Sequence, residues 1–420
     1  MNIKSRLTIL SFLEFAVWGA YLTSMGTYLA KSGMADNIAW FYSIQGFSSL
    51  FMPALMGIVA DRWIQAQHLL SFLHLLSGTF MLITCVYGIV AGNSAEFLSL
   101  FILYAGSVAF FMPTIALTNS VAYGTLERAG LESVKTFPPI RLWGTAGFIV
   151  SMWIVDVFGM QTSPLQFGWS GVLSIVLALY ALSIPSCPIN KKERKGVVDA
   201  LGLRAFTLFK NSRMAVFFVF SMLLGVCLQI TNGFANPFIS SFASIPEFAD
   251  TFVVRHANIL ISLSQISEML CFLLIPFFLN RFGIKRVMII AMLAWALRFA
   301  LFSMGNPGDG VWLFVLSMIV YGVAFDFFNI SGSLFVDKET ERSLRNSAQG
   351  VFMMMTNGFG ATVGTLTAQQ VINHFVYSHG DNSPMDVWNG WSTCWSVFSI
   401  YALVIALLFA LFFKYEHRQK

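Results

Sequence analysis

The chain has 420 residues, of which 57% are hydrophobic, 15% aromatic and only 11% charged, with a formal net charge of +5. A soluble domain carries about 25% charged residues and could not cover its surface with so few. A water-soluble enzyme, a disordered chain and a disulfide scaffold are thereby excluded, and long continuous apolar runs exclude a membrane β-barrel.

A membrane helix needs about 20 apolar residues. In chain order such runs fall at about 7–30, 38–60, 69–92, 97–121, 138–158, 166–186, 213–237, 256–279, 287–304, 311–336, 347–374 and 388–413. Twelve transmembrane helices are expected. The first run follows Lys4 and Arg6, exceeds a signal-peptide core and lacks a small-residue cleavage site, so it reads as a membrane helix. The connector 187–212 is the long one and is rich in Lys and Arg. It divides the chain into an expected six-helix bundle over 1–186, a linker, a second six-helix bundle over 213–413 and a short tail over 414–420. With the N-terminus inside, all Lys and Arg fall on the cytoplasmic side except Lys31 and Arg255 outside and Arg141 and Arg298 within spans. That asymmetry puts both termini in the cytoplasm. The basic residues are scattered through short loops, so no nucleic-acid partner is expected. Five cysteines lie in or beside apolar runs without a CxxC pair and read as small hydrophobes.

The connector after the second run reads Gly57-Ile58-Val59-Ala60-Asp61-Arg62-Trp63, and the one after the eighth reads Asn280-Arg281-Phe282-Gly283-Ile284-Lys285-Arg286. Each follows a Pro-containing helix (Pro53, Pro276) and sets an acid or amide beside arginine. Asp61, Arg62 and Arg281 therefore read as contacts that form and break between helix ends. Two parallel six-helix repeats around a midplane cavity are a transporter plan, all-α and integral to the membrane. The loop motif resembles that of the major facilitator superfamily, with Asn280 replacing the acid in the second half.

Ionisable residues inside a membrane are costly, so each is a functional candidate. The spans hold Glu14, Arg141, Asp156, Glu268, Arg298 and Asp326, with His74 in the third. Asp156 is near its helix end and is expected to reach water. His74 is expected to be packed or hydrogen-bonded. Glu14 either lines the cavity or reaches the inner interface. Glu268 falls near the middle of its span, with Gln265 on the same face. Gln229, Asn232 and Asn236 share a face, as do Arg141, Thr145 and Phe148, and Tyr321, Phe325 and Phe328. Lipid would reject the charges and amides, so these stripes face protein or water. Amides and carboxylates read donor and acceptor edges, and aromatics stack on flat rings. The mixture suits a neutral, planar, hydroxylated ligand such as a nucleoside, and a sugar less well. Arg298 and Asp326 come out at similar depth on consecutive helices and are expected to pair.

Several blocks are more specific. Phe137-Pro138-Pro139-Ile140-Arg141-Leu142-Trp143-Gly144-Thr145, Leu228-Gln229-Ile230-Thr231-Asn232, Ser264-Gln265-Ile266-Ser267-Glu268 and Phe325-Asp326-Phe327-Phe328-Asn329-Ile330-Ser331-Gly332-Ser333 look like the bacterial nucleoside permeases. Phe51-Met52-Pro53-Ala54-Leu55 and Met354-Met355-Thr356-Asn357-Gly358-Phe359-Gly360 match as well. The chain thus resembles the nucleoside:proton symporter family of the major facilitator superfamily. The resemblance implies a nucleoside site of Arg141, Thr145, Phe148, Gln229, Asn232, Gln265, Glu268, Tyr321 and Phe325, and an Asp326 essential to activity. It implies Gln in the first span, where this chain has Glu14.

The expected activity is proton-coupled uptake of nucleosides such as uridine and adenosine by alternating access, at one central site, across a bacterial cytoplasmic membrane. A neutral nucleoside cannot use the membrane potential itself. One proton supplies about 2.3 kcal/mol per 100 mV. The candidate proton carriers are Glu268, then Asp326, then Glu14, and Arg298 is a gating or structural residue. No cofactor beyond the proton, no metal and no oligomer is expected. The alternatives are transport of another small polar solute (a sugar, a drug-like cation or a xanthosine-like purine) and a nucleoside-sensing receptor. A membrane enzyme would want a metal-ligand cluster such as HExxH, which the sequence lacks.

Overall fold

The computed structural model describes residues 2–185, 203–341, 344–377 and 383–415, apart from the side chains of 58, 61, 62, 93, 133, 134, 203–205 and 346. All regular structure among the described residues is helical. Among the described residues seven helices are long and apolar enough to cross a membrane. The chain divides into two compact units, 1–201 and 202–420. The linker expected over 187–212 lies outside the described residues up to 202. From Leu203 to Lys210 it is a 3-10 helix.

The first unit comprises α1 (Ile3–Gly19), α2 (Met25–Lys31), α3 (Ile38–Arg62), α4 (Ala66–Ala91), α5 (Phe97–Arg128), α6 (Ser133–Val157) and α7 (Leu165–Ala181). The first apolar run is therefore two helices rather than one. The interruption at 20–24 frees backbone groups that apolar surroundings would penalise. Tyr42 takes them: its hydroxyl donates to the Leu22 carbonyl at 2.6 Å and accepts the Gly26 N–H at 3.3 Å. The core is built by Leu7, Leu10, Leu70, Leu73, Val121 and Leu177, drawn from α1, α4, α5 and α7. α1 packs on α6, where glycines bring the backbones together: a Cβ on Gly147 would overlap the Phe12 carbonyl, and one on Gly19 the Phe148 carbonyl. This is the small-residue interface that helices use where no hydrophobic force drives them together.

The second unit comprises α8 (Ser212–Ser241), α9 (Phe252–Arg255), α10 (Ala257–Met304), α11 (Val311–Glu339), α12 (Arg345–Met353), α13 (Ala361–Ile372) and α14 (Pro384–Phe412). The eighth and ninth expected runs are two helical segments, labelled together as α10, that meet at a break at Gly283 (φ 75°, ψ 168°). Only glycine enters that backbone region without strain. Between α12 and α13 the helix widens to π geometry over Met354–Gly360, and again over Asn373–Tyr377. Such bulges carry one residue too many per turn and collect at functional positions. Phe217 packs on Phe335, Phe352 and Phe413 toward one end of the unit, and Phe238 on Phe302, Trp391 and Trp395 toward the other.

Candidate functional site

In the second unit α10 and α11 cross closely. Ser267 donates to the Ile319 carbonyl, and a Cβ on Gly322 would overlap Ser267. That crossing places Glu268 within electrostatic reach of both Tyr321 and Asp326. Tyr321 and Phe325 stack with ring centroids 5.6 Å apart and planes 7° from parallel. Trp295 meets Tyr321 edge-on at 5.7 Å. Phe325 lines a small cleft together with Trp295, Phe328, Asn329, Thr356 and Asn357 and with Leu224 and Leu228 of α8. The π-helical stretch supplies Thr356 and Asn357 to its wall. It approaches α8 so closely that a Cβ on Gly225 would overlap the Thr356 carbonyl.

Two buried acceptor atoms here lack a hydrogen-bond partner among the described residues, Gln265 Oε1 and Asp326 Oδ2. Leaving such an atom unsatisfied costs about 1–3 kcal/mol. Both are acceptors, suited to the donor edge of a base, a sugar hydroxyl or a proton. Glu268 and Gln265 are half-buried on α10, and Gln229 and Asn232 on α8. Asn236, which shares their sequence face, is consumed in packing. Its amide donates to Asn258 at 2.7 Å and its oxygen accepts from Ser240 at 3.0 Å.

Arg298 is fully buried but does not pair with Asp326, contrary to expectation. Its guanidinium donates to the Ser317 carbonyl at 2.6 Å and to Ser264 at 3.3 Å, and lies 4.8 Å from the Tyr321 ring. Equal depth on neighbouring helices was not enough, because the side chain turns toward α11 near Ser317. It thus lies against the Tyr321 ring and ties α10 to α11.

In the first unit Arg141 is half-buried, with its guanidinium 3.8 Å over the Phe15 ring. Phe148, about two turns further along α6, is buried and meets Trp18 edge-on at 6.3 Å. Thr145 is half-buried between them in sequence. The stripe expected on this helix is therefore seated on α1. Asp156 is only 3% exposed and accepts from Gln161 at 3.0 Å, so it does not reach water as expected. Glu14 is also buried, paired with His74 at 2.9 Å. The side chains of Asp61 and Arg62 lie outside the described residues. Arg281 is exposed beside the Gly283 bend.

The sequence reading missed Trp295, Thr356 and Asn357 as cleft residues. Trp295 was hidden among the apolar residues of its span. Asn357 was readable, as an amide inside a Gly-rich apolar run.

Residues 1–418 match the family described as Nucleoside H+ symporter. The chain is 47% identical to nucleoside permease NupG of Escherichia coli K12, covering 99% of this chain and 97% of that one. It is 45% identical to the xanthosine permease of the same organism, with the same coverage. A crystal structure of nucleoside transporter NupG superposes with a TM-score of 0.88 at 45% identity, covering 99% of this chain and 100% of that one. The chain therefore belongs to the nucleoside H+ symporter family, a family of multi-pass membrane transporters and not of enzymes.

Proposed function

We propose that the chain, a proton-coupled nucleoside transporter by family, works as a monomer in the bacterial cytoplasmic membrane. It crosses that membrane twelve times with both termini inside and carries its substrate by alternating access. Gln229, Asn232, Gln265, Glu268, Tyr321 and Phe325 of the second unit bind the nucleoside, as do Arg141, Thr145 and Phe148 of the first. Glu268 and Asp326 carry the coupling proton. Asp61, Arg62, Arg281 and Arg298 serve the conformational change.

The observation that carries this reading is the parallel Tyr321–Phe325 pair on α11, with Asp326 next to it in sequence and Glu268 on α10, the helix that α11 crosses. The flat aromatic face supports stacking of a base. Two carboxylates that repel in a low dielectric are eased by holding one proton between them. A ribose hydroxyl or base N–H bonding to Glu268 changes which of the two holds it, and that links substrate to proton. The proton then contributes about 2.3 kcal/mol per 100 mV of membrane potential.

The test is uptake into proteoliposomes with an imposed pH gradient, using labelled uridine, adenosine and xanthosine. Accumulation that collapses on adding a protonophore, and that sugars do not compete away, is expected. Failure to accumulate any of the three would overturn the reading.

A further inference from the structure

The first unit holds a second pair of titratable side chains, which the substrate reading does not use. Glu14 on α1 is 1% exposed and His74 on α4 is 0% exposed. His74 Nε2 lies 2.9 Å from Glu14 Oε2. The same carboxylate faces Thr114, whose hydroxyl lies 2.6 Å from Oε1 and 2.6 Å from the Phe111 carbonyl, and Thr118, whose hydroxyl donates to Oε2 at 2.9 Å. On the other side of the ring, His74 Nδ1 lies 3.0 Å from the Ser174 hydroxyl, and that hydroxyl donates to the His74 carbonyl at 2.9 Å. Four helices, α1, α4, α5 and α7, meet at this one pair.

Counting hydrogens relates its protonation to the Ser174 hydroxyl. A serine hydroxyl has one hydrogen to give. If Ser174 gives it to the carbonyl, Nδ1 must carry a hydrogen and donate to the Ser174 oxygen. A further hydrogen then lies between Nε2 and Glu14. It sits on Nε2, making an imidazolium–carboxylate pair, or on Glu14, making a neutral acid and a neutral ring. Both forms have zero net charge. Loss of that proton to water leaves the Glu14 carboxylate beside a ring protonated on Nε2 alone. The net negative charge is then buried in apolar surroundings. Nδ1 becomes an acceptor, and Ser174 must turn its hydrogen from the carbonyl to the ring.

The surroundings hold little other charge. Toward the pair α5 presents Thr114, Thr118 and the Phe111 ring, and α7 presents Ser174. His68, at the start of α4, is exposed, and Glu127 and Arg128 close the far end of α5. α7 has no acidic or basic residue, and those of α3 stand at its end, Asp61 and Arg62. On α6 Lys135 is at the start, and Asp156, at the other end, is bonded to Gln161. The remaining cation of α6, Arg141, stacks on Phe15, the residue after Glu14. α1 therefore carries the pair on one face and seats Arg141 and Phe148 with Phe15 and Trp18.

We propose that Glu14 and His74 form a second proton-binding site, which anchors α1 when protonated and so positions Arg141 for the nucleoside. This rests on the reading of Arg141 as a substrate residue. In this scheme nucleoside binds the protonated pair best, and each linked proton makes affinity fall about tenfold per pH unit once its site titrates.

The experiment measures nucleoside affinity by counterflow, without a pH gradient, across an alkaline pH series. Wild type, Glu14→Gln and Asp326→Asn are compared. Gln keeps the volume and the threonine contacts but removes the titrating acid. Glu14→Gln is expected to lower the slope of log affinity against pH by about one, with Asp326→Asn removing a separate step. A folded Glu14→Gln variant with the full wild-type slope overturns the inference alone. A wild type that binds no nucleoside overturns the reading beneath it, and this inference with it. Should Glu14→Gln not fold, His74→Gln replaces it, judged by the same slope. Proton uptake on nucleoside addition to the wild type gives an independent count at alkaline pH: two protons per nucleoside are expected, and one overturns the proposal.

Discussion

Replacing Phe325 by leucine tests the base platform most directly. Leucine keeps an apolar side chain in the cleft wall but removes the flat face that lies 5.6 Å from Tyr321 and 7° from parallel. Stacking of a base on an aromatic ring is worth about 1–3 kcal/mol when the ring is cut back to alanine. Leucine recovers part of the buried area, so a loss of about 1–2 kcal/mol is expected. At 1.4 kcal/mol per decade that is about a 5- to 30-fold rise in KM. The assay is concentration-dependent counterflow of labelled uridine and adenosine in proteoliposomes. Counterflow isolates binding and translocation from the driving proton gradient. The larger purine should lose more than the pyrimidine, and Phe325→Tyr should recover most of the loss. A folded Phe325→Leu protein whose KM stays within twofold of wild type for both substrates would refute the platform. The Tyr321–Phe325 stack would then be core packing, and the nucleoside would have to be held elsewhere.

Three further outcomes follow from single positions. Asp326→Asn should abolish accumulation against a gradient while leaving counterflow detectable, measured in the same vesicles with and without an imposed pH difference. Gly225→Ala should drive α8 off the π-helical stretch at the Thr356 carbonyl, costing about 1–3 kcal/mol as overpacking, read as a lower melting temperature in detergent. Gly283→Ala should cost about 1–2 kcal/mol, because φ is 75° there, and loss of stability below a few tenths of that would show that the bend relaxes freely.

Much of the fold is written in hydropathy because lipid accepts only long runs of satisfied backbone. The runs at 97–121 and 311–336 fall within α5 and α11, and that at 69–92 overruns α4 by one residue. What hydropathy cannot see is backbone geometry inside an apolar run. The break at 20–24 contains no Gly or Pro and depends on Tyr42, a residue on another helix. The bend at Gly283 and the π stretch over Met354–Gly360 carry glycines, so a signal was present. It marked a loop in the first case and went unused in the second.

The candidate site divides along the same line. Residues that share a face of one helix, such as Tyr321 and Phe325, were legible because helical spacing fixes their mutual geometry. Partners on different helices were not, since depth along the helix says nothing about rotation. Arg298 and Asp326 show this by staying apart, with the guanidinium taken by the Ser317 carbonyl. Glu14 and His74 show the converse. Each looked solitary in its own span, and each is the other's partner at 2.9 Å. A charge that is isolated in sequence is therefore weak evidence of a charge isolated in space. In this chain the pair that seemed least remarkable carries the more unusual chemistry: a buried acid and a buried imidazole 2.9 Å apart, beside a serine whose one hydrogen can go to the His74 carbonyl or to the ring.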